Sequence, residues 1–420
     1  MRMKLKKAGL IFILMFSILT SNFAGVLTYA EEEKLNLYAL SAVLMDAESG
    51  RVLYSKEGDV KRAMASTTKI MTCIIALEYG NLSDVLTVSK YASSMPDVQL
   101  NIKEGEMYNL EDMLYSLMLE SHNDTAVAIA EHIAGSVEAF AELMNNKARE
   151  LGCFDTYFIT PNGLDASKDY DGETKVHSTT AKDLATIMSY CIKNEKFVEI
   201  TRKSSHMFTN KIKNDDGTFV NGNITHIVSN RNAFFNMMDG VISGKTGFTN
   251  DAGYCYVCAL ESNGRKYAVA LLGCGWPNNK TYKWSDSKTL FNYGMEFFKK
   301  EDMFQYGMEL PEISVNNGVY GNYRDFGEYG INADKPVSIK TYVDESPFEL
   351  LCKENEQVEK KVTLAKSLEA PVYNGQVVGY VTYRLSDGIE KVYEIKAKDT
   401  VEKKDFTWSF GCVFMKFITH

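Results

Sequence analysis

From Ile70 to Leu77 nearly every position is apolar. Such a run predicts a helix buried on all sides, not one with a single apolar stripe. Gly80 is a natural stop for it. Ser66 and Lys69 fall at its start, three residues apart, a spacing that places a hydroxyl and an amine on one face. A lysine entering a buried helix loses hydration, which disfavours its charged form. A neutral amine beside a serine can take the hydroxyl proton and make the oxygen a nucleophile. The same spacing recurs at Ser285-Asp286-Ser287-Lys288, which reads as ordinary polar surface.

The flanking pattern alternates between helix and strand periods. Residues 41–46 and 51–54 flank Glu48-Ser49-Gly50 and read as a hairpin. Asn109, with Asp112 three residues on, reads as a helix N-cap, and Leu110, Met113, Leu114, Leu117 and Met118 then recur at helical spacing to about Glu120. Ser121-His122-Asn123-Asp124 breaks that pattern. A helix is expected over 125–134, stopped by Gly135, and another over 137–151, capped by Ser136 and stopped by Gly152. On spacing alone Ser121-His122-Asn123 is an inter-helix turn with Asn123 or Asp124 as cap; the other reading is a rigid polar corner at a cleft edge. Pro161-Asn162-Gly163-Leu164-Asp165 is a turn. Thr180 opens a helix with Leu184, Ile187, Met188, Cys191 and Ile192 on its apolar face. Residues 204–239 read as irregular, with short strands and turns.

Three strands follow, over 241–249, 252–261 and 266–273. The last two flank Ser262-Asn263-Gly264-Arg265, a strong hairpin signal, so the first lies beside an antiparallel hairpin. That first strand holds Lys245-Thr246-Gly247. Gly244 and Gly247 allow close approach to its backbone, although the same residues suit an ordinary strand edge. A helix is expected over 285–298. From 303 to 397 short alternating strands, such as 337–343 and 377–383, predict a small β domain, a sandwich. In the tail over 401–420, Phe406, Phe410, Val413, Phe414 and Phe417 fall at helical spacing with Trp408 alongside. The tail is too short to span a bilayer but suits an interfacial helix; the alternative is a terminal helix docked on the β domain. Lys416 is its one basic residue near the end.

Composition narrows the classes. A hydrophobic share of 45% and a charged share of 24% are those of a globular chain, and 420 residues allow two domains. The formal charge is −9, and the first thirty residues carry Arg2, Lys4, Lys6, Lys7 and no acid, so the remainder is at −13. Nothing basic is clustered to neutralise phosphates, which argues against nucleic acid as a partner. Those basic residues precede the apolar run 8–16 and a small-residue site at Thr28-Tyr29-Ala30, the pattern of an export signal cleaved near Ala30. Eight cysteines in 420 residues are no disulfide scaffold. Cys255-Tyr256-Val257-Cys258 lies in a strand, where positions three apart face opposite ways, so free buried thiols are expected. The six histidines form no metal-ligating motif; no metal and no cofactor are expected.

Ser66-Thr67-Thr68-Lys69, Ser121-His122-Asn123 and Lys245-Thr246-Gly247 stand in one order, on a buried helix, between helices and on a strand. In this the chain resembles the penicillin-binding protein and serine β-lactamase superfamily, and within it the low-molecular-mass D-alanyl-D-alanine carboxypeptidases. Gly163-Leu164-Asp165, Gly240, Thr249 and Ala252-Gly253-Tyr254 add to the likeness, which covers about residues 36 to 298. The resemblance implies an α+β fold over 31–300, an antiparallel sheet flanked by helices with an all-helical lobe, followed by the small C-terminal β domain over 303–397. It implies that Ser66 attacks the penultimate D-Ala carbonyl of a peptidoglycan stem peptide ending in D-Ala-D-Ala, with Lys69 as general base and β-lactams as inhibitors. By the same likeness Ser121 relays a proton and Asn123 holds the substrate amide. Lys245 and Thr246 of the Lys245-Thr246-Gly247-Phe248-Thr249 strand bind the terminal carboxylate. Backbone N–H groups of Ser66 and Phe248 form an oxyanion hole.

Two departures stand out. His122 occupies a position where relatives often carry a smaller residue. Where many relatives have a carboxylate-binding arginine after the hairpin, this chain reads Gly275-Trp276-Pro277-Asn278-Asn279-Lys280, which leaves Lys280, Lys283 or neither as a substitute. A β-lactamase shares the three motifs, but no Glu-x-x-Leu-Asn-type segment follows Ser121. A cross-link endopeptidase is closer. A non-catalytic wall-binding or β-lactam-sensing protein has no need of Ser66 with Lys69.

Overall fold

A computed structural model describes residues 34–96, 98–170, 172–319 and 337–418. The expected signal segment, part of the 303–397 region and the side chains of Cys412 and Lys416 lie outside them. In chain order the first strands are β1 (Ser41–Asp46) and β2 (Val52–Lys56). A 3-10 turn, Ala65–Thr68, runs into helix α1 (Lys69–Tyr79). Then come β3 (Val85–Thr87), α2 (Lys90–Ser93), β4 (Met107–Asn109), α3 (Leu110–Leu119), α4 (Asn123–Ala134) and α5 (Val137–Glu150). A small hairpin, β5 (Ser167–Tyr170) and β6 (Glu173–Val176), precedes α6 (Ala181–Cys191) and α7 (Glu195–Arg202). Strands β7 (Ser205–Lys213), β8 (Phe219–Ser229), β9 (Val241–Thr249), β10 (Gly253–Ser262) and β11 (Arg265–Leu272) lead to α8 (Tyr282–Phe297).

The central sheet is antiparallel in the order β2-β1-β11-β10-β9. Its two faces are both covered, and β1 is therefore buried at every position. Alternation along β1 sends Met45 to α6, where its sulfur accepts from Thr186 and Ser189. Leu44 points the other way, to α8, where a Cβ on Gly294 would lie 2.9 Å from its Cδ2. Asn263 (φ +52°) and Gly264 (φ +69°) make the β10–β11 turn, as the sequence predicts.

Helices α1, α3, α4, α5 and α6 share one apolar core with the inner face of that sheet. Helix α1 is buried from Lys69 to Ala76, which accords with its all-apolar sequence. Gly80 ends it in an extended conformation (φ −95°), so a left-handed cap is not the reason for glycine. A Cβ there would lie 2.6 Å from Ile133 and 2.7 Å from Leu110. Asn109 makes no side-chain cap bond, and neither Asn123 nor Asp124 caps α4, whose N-cap is His122. Asp124 instead accepts from the backbone N–H groups of Leu100, Asn101 and Ile102.

Residues 204–239 are not irregular. β7 and β8 pair over most of their length and extend a second antiparallel sheet, β3-β4-β7-β8, against α3. Much of β8 is exposed on both faces, which leaves no alternation to read. The Ser285–Lys288 run is also only half polar surface. Ser285 and Lys288 are exposed, but Asp286 and Ser287 are buried, and Asp286 accepts from Ala39 N and Cys274. The seven cysteines with described side chains are buried free thiols.

After α8 the chain enters β12 (Phe298–Asp302), then β13 (Ile313–Asn316), β14 (Gly318–Val319), β15 (Val337–Ile339), β16 (Thr341–Val343) and β17 (Glu349–Lys353). Strands β18 (Glu359–Leu364), β19 (Ser367–Glu369), β20 (Val377–Arg384), β21 (Glu390–Ala397) and β22 (Glu402–Lys403) complete a β region with its own core. Arg51, in the β1–β2 turn, ties the two cores together. Its buried guanidinium pairs with Glu356 and with Asp387 (2.6 Å) and donates to Leu351 O (2.6 Å). Helix α9 (Phe406–Ile418) follows. Trp408 is buried, whereas Phe406, Phe410, Phe414 and Phe417 are exposed. Among the described residues no helix is long and apolar enough to cross a membrane.

Candidate active site

Ser66 sits in the 3-10 turn ahead of α1, and Lys69 is the first residue of the helix. Ala65, just before the serine, has φ +47°, a strained value for a residue with a Cβ. The Lys69 amine is fully buried and has three partners: Ser66 Oγ (2.9 Å), Asn123 Oδ1 (2.8 Å) and Asn162 O (2.6 Å). The orientation of the Asn123 amide follows from its network, because its Nδ2 donates to Pro96 O at 3.1 Å. Oδ1 and a backbone carbonyl only accept, so they take two N–H groups. A neutral amine then has its lone pair left for Ser66 Oγ. Burial, with Lys245 nearby, holds the Lys69 amine well below its ordinary range, against the pull of Asp124. Geometry and protonation state therefore agree on a base aimed at a hydroxyl.

The second and third motifs meet across a cleft of about 370 Å³. Ser121 lies between α3 and α4 with φ +71°, a second left-handed residue at the site. Lys245, on β9, reaches over to it: Nζ donates to Ser121 Oγ (2.9 Å) and to Thr246 O (2.8 Å). Burial lowers this amine to about 7. The expected corner at Ser121-His122-Asn123 is thus the rigid one. His122 is buried, bonded to Ser116 (2.8 Å) and 3.5 Å from Glu120. Asn123 has its amide engaged by Lys69 and Pro96, so in this state it orients the base.

Strand β9 runs close to the Ser66 turn because residue 247 is glycine. A Cβ there would lie 2.8 Å from Ser66 N and 2.9 Å from Thr67 N. Ser66, Ser121, Lys245, Thr246, Gly247 and Phe248 line the cleft, while Thr249, just past it, accepts from Ala252 N. Lys283 lines the cleft too, and Lys280 does not. The Lys283 amine lies 4.5 Å from the Tyr254 ring centre and 4.6 Å from that of Trp284, and burial lowers it to about 8. The sequence reading missed the Asn162 carbonyl. Only the Pro161–Asp165 turn signal pointed there; a Cβ on Gly163 (φ +84°) would lie 2.0 Å from Ala65 O.

Two family models match the chain. One described as D-alanyl-D-alanine carboxypeptidase covers residues 28–274, and one described as penicillin-binding protein 5, C-terminal domain, covers residues 332–403. The D-alanyl-D-alanine carboxypeptidase DacF of Bacillus subtilis is 27% identical over 88% of this chain and 87% of its own. DacB2 of Mycobacterium tuberculosis is 31% identical over 60% of this chain and 80% of its own. The crystal structure of penicillin binding protein 5 from Haemophilus influenzae superposes with a TM-score of 0.62 at 26% identity, covering 88% of this chain and 99% of that one.

Proposed function

The chain belongs to the D-alanyl-D-alanine carboxypeptidase family, and from that membership and the site geometry we infer that it is a serine-type D-alanyl-D-alanine carboxypeptidase. It cleaves the terminal D-Ala from peptidoglycan stem peptides and is acylated by β-lactams. The observation that carries the chemistry is the Lys69 amine, 2.9 Å from Ser66 Oγ and otherwise bound only to acceptors.

Ser66 Oγ attacks the penultimate D-Ala carbonyl as Lys69 takes its proton. The developing oxyanion faces the backbone N–H groups of Ser66 and Phe248, where Gly247 lets strand β9 approach Ser66 N. Collapse breaks the peptide bond. The leaving amine takes up the proton that Lys69 gained, relayed through Ser121, whose hydroxyl Lys245 holds. Water then attacks the acyl-enzyme as Lys69, neutral again, takes its proton and passes it to Ser66 Oγ, which leaves as the free hydroxyl. Thr246 and the positive potential of Lys245 receive the terminal carboxylate, with Lys283 on the same cleft in place of the relatives' arginine. Asn123 holds the substrate amide once substrate displaces part of its present bonding, and Gly247 and Thr249 shape the strand along which the peptide lies.

The chain acts outside the cytoplasm, exported by its N-terminal signal and held at the outer face of the cytoplasmic membrane by α9. The exposed Phe406, Phe410, Val413, Phe414, Phe417 and Ile418 support this. The full mature chain should sediment with lipid vesicles, and Ser substitutions at Phe406, Phe410, Phe414 and Phe417 should release it without loss of penicillin acylation. Vesicle binding that survives those changes would remove the tail as anchor.

The first test of the chemistry is mass spectrometry of mature protein with benzylpenicillin, beside Ser66→Ala. A persistent adduct on Ser66, with D-Ala released from a D-Ala-D-Ala peptide, is expected. An adduct lost within seconds as hydrolysed penicillin accumulates would make this a β-lactamase. An adduct unaffected by Ser66→Ala would sink the nucleophile.

A further inference from the structure

The turn that presents Ser66 is held by a chain of hydrogen bonds whose directions are all fixed. Nδ1 of His177 accepts from Ile159 N at 2.9 Å. A backbone N–H can only donate, so Nδ1 carries no proton and Nε2 does. Nε2 is 2.8 Å from Thr68 Oγ1 and donates to it. Thr68 spends its single proton on Ala65 O, also at 2.8 Å. Ala65 is the residue at φ +47° that precedes the nucleophile.

The two ends of this chain belong to the two halves of the Ser66–Lys69 pair. Residues 159–163 supply the Asn162 carbonyl that orients Lys69, and Gly163 packs against the Ala65 carbonyl and the Thr68 hydroxyl, where a Cβ would lie 2.0 Å from Ala65 O and 2.9 Å from Thr68 Oγ1. The turn 65–68 carries Ser66. His177 is bonded to both. It is fully buried, and burial lowers it to about 3, so it stays neutral and moves no proton in the reaction.

We propose that His177 is a positioning residue: through Thr68 it holds the strained Ala65 peptide, and so sets Ser66 Oγ against the Lys69 amine. The proposal rests on Ser66 being acylated, but the two fail separately. Ser66→Ala abolishes the adduct, whereas these variants change only how fast it forms.

The test separates the two nitrogens. In His177→Gln the side-chain amide can still donate to Thr68; in His177→Asn the shorter side chain can still accept from Ile159 N but no longer reaches Thr68. Thr68→Val removes the hydroxyl in nearly the same shape, and Thr68→Ser keeps it. Burst kinetics with benzylpenicillin give the acylation rate constant and the non-covalent binding constant separately, at matched folded fraction. His177→Asn and Thr68→Val should acylate roughly tenfold to a hundredfold more slowly, with binding nearly unchanged. His177→Gln and Thr68→Ser should stay within about threefold of the parent, since each preserves the reach to the Ala65 carbonyl. The double variant His177→Asn/Thr68→Val should be no slower than either alone. Equal acylation by the Gln and Asn variants, or additive losses in the double variant, would overturn the proposal. So would rates that simply follow melting temperature across the set.

Discussion

Lys245 Nζ donates to Ser121 Oγ at 2.9 Å, a bond that crosses the cleft from strand β9 to the turn between α3 and α4. Free Lys245 is held near 7 by burial. A carboxylate arriving beside it favours the charged form and raises that value. Binding of a D-Ala-D-Ala peptide at pH 8 should therefore take up a proton, and KM should rise as the pH climbs through 7. Calorimetry of peptide binding to Ser66→Ala in two buffers of different ionisation heat reads the uptake directly. No uptake at pH 8 would place the substrate carboxylate away from Lys245.

Lys69→Arg should abolish general-base help by placing a permanent cation at the site. A guanidinium does not deprotonate in proteins, and its planar fork does not match the three partners of the amine. Acylation by benzylpenicillin should fall by roughly 10²–10⁴, read with a fluorescent penicillin. In the parent protein acylation should weaken as the pH falls and Lys69 gains its proton. A pH-independent rate would contradict the neutral amine.

Gly247→Ala tests the approach of β9 to the nucleophile turn. The new Cβ meets backbone nitrogen atoms that cannot swing aside. Strand and turn must separate, which widens the space between Ser66 N and Phe248 N. The variant should lose about 1–3 kcal/mol of stability and at least roughly a hundredfold in acylation, with the remaining protein folded by circular dichroism. Full acylation by a folded variant would show that the oxyanion site lies elsewhere.

Acid should destabilise the fold through its buried histidines. His177 is lowered to about 3 by burial and by Lys69, and His122 is lowered by burial against the pull of Asp124 and Glu120. A folded value below the unfolded one, about 6.5, means that the unfolded chain binds more protons in between. The stability is present above about 6.5 and is lost as the pH falls toward 3. Melting temperatures between pH 7 and 4 should drop less steeply in His177→Gln than in the parent; equal slopes would remove His177 from the account.

The parts legible in the sequence are those where side-chain type and period agree. Helix α1, the Asn263-Gly264 hairpin and the three motifs each carry both signals. What escaped was written in the backbone. The Asn162 carbonyl that orients Lys69 has no residue signature, because any amino acid offers one. β7 and β8 are held by their ladder, with Met207 and Ile227 paired yet both exposed, so no apolar alternation marks them. Asp286 and Ser287 are hidden between exposed Ser285 and Lys288 because helical period turns them inward, although their type suggests surface. Asn123 was legible as a site residue, but its bond to Lys69 depends on a meeting of α4 with α1 that spacing does not show.

Arg51 bolts the β region to the turn between β1 and β2, on the same sheet that ends at β9. The β region is thereby pinned to the sheet whose edge strand β9 lies against the Ser66 turn. Loosening Arg51 would leave the reaction at Ser66 intact and free the β region to turn against the sheet.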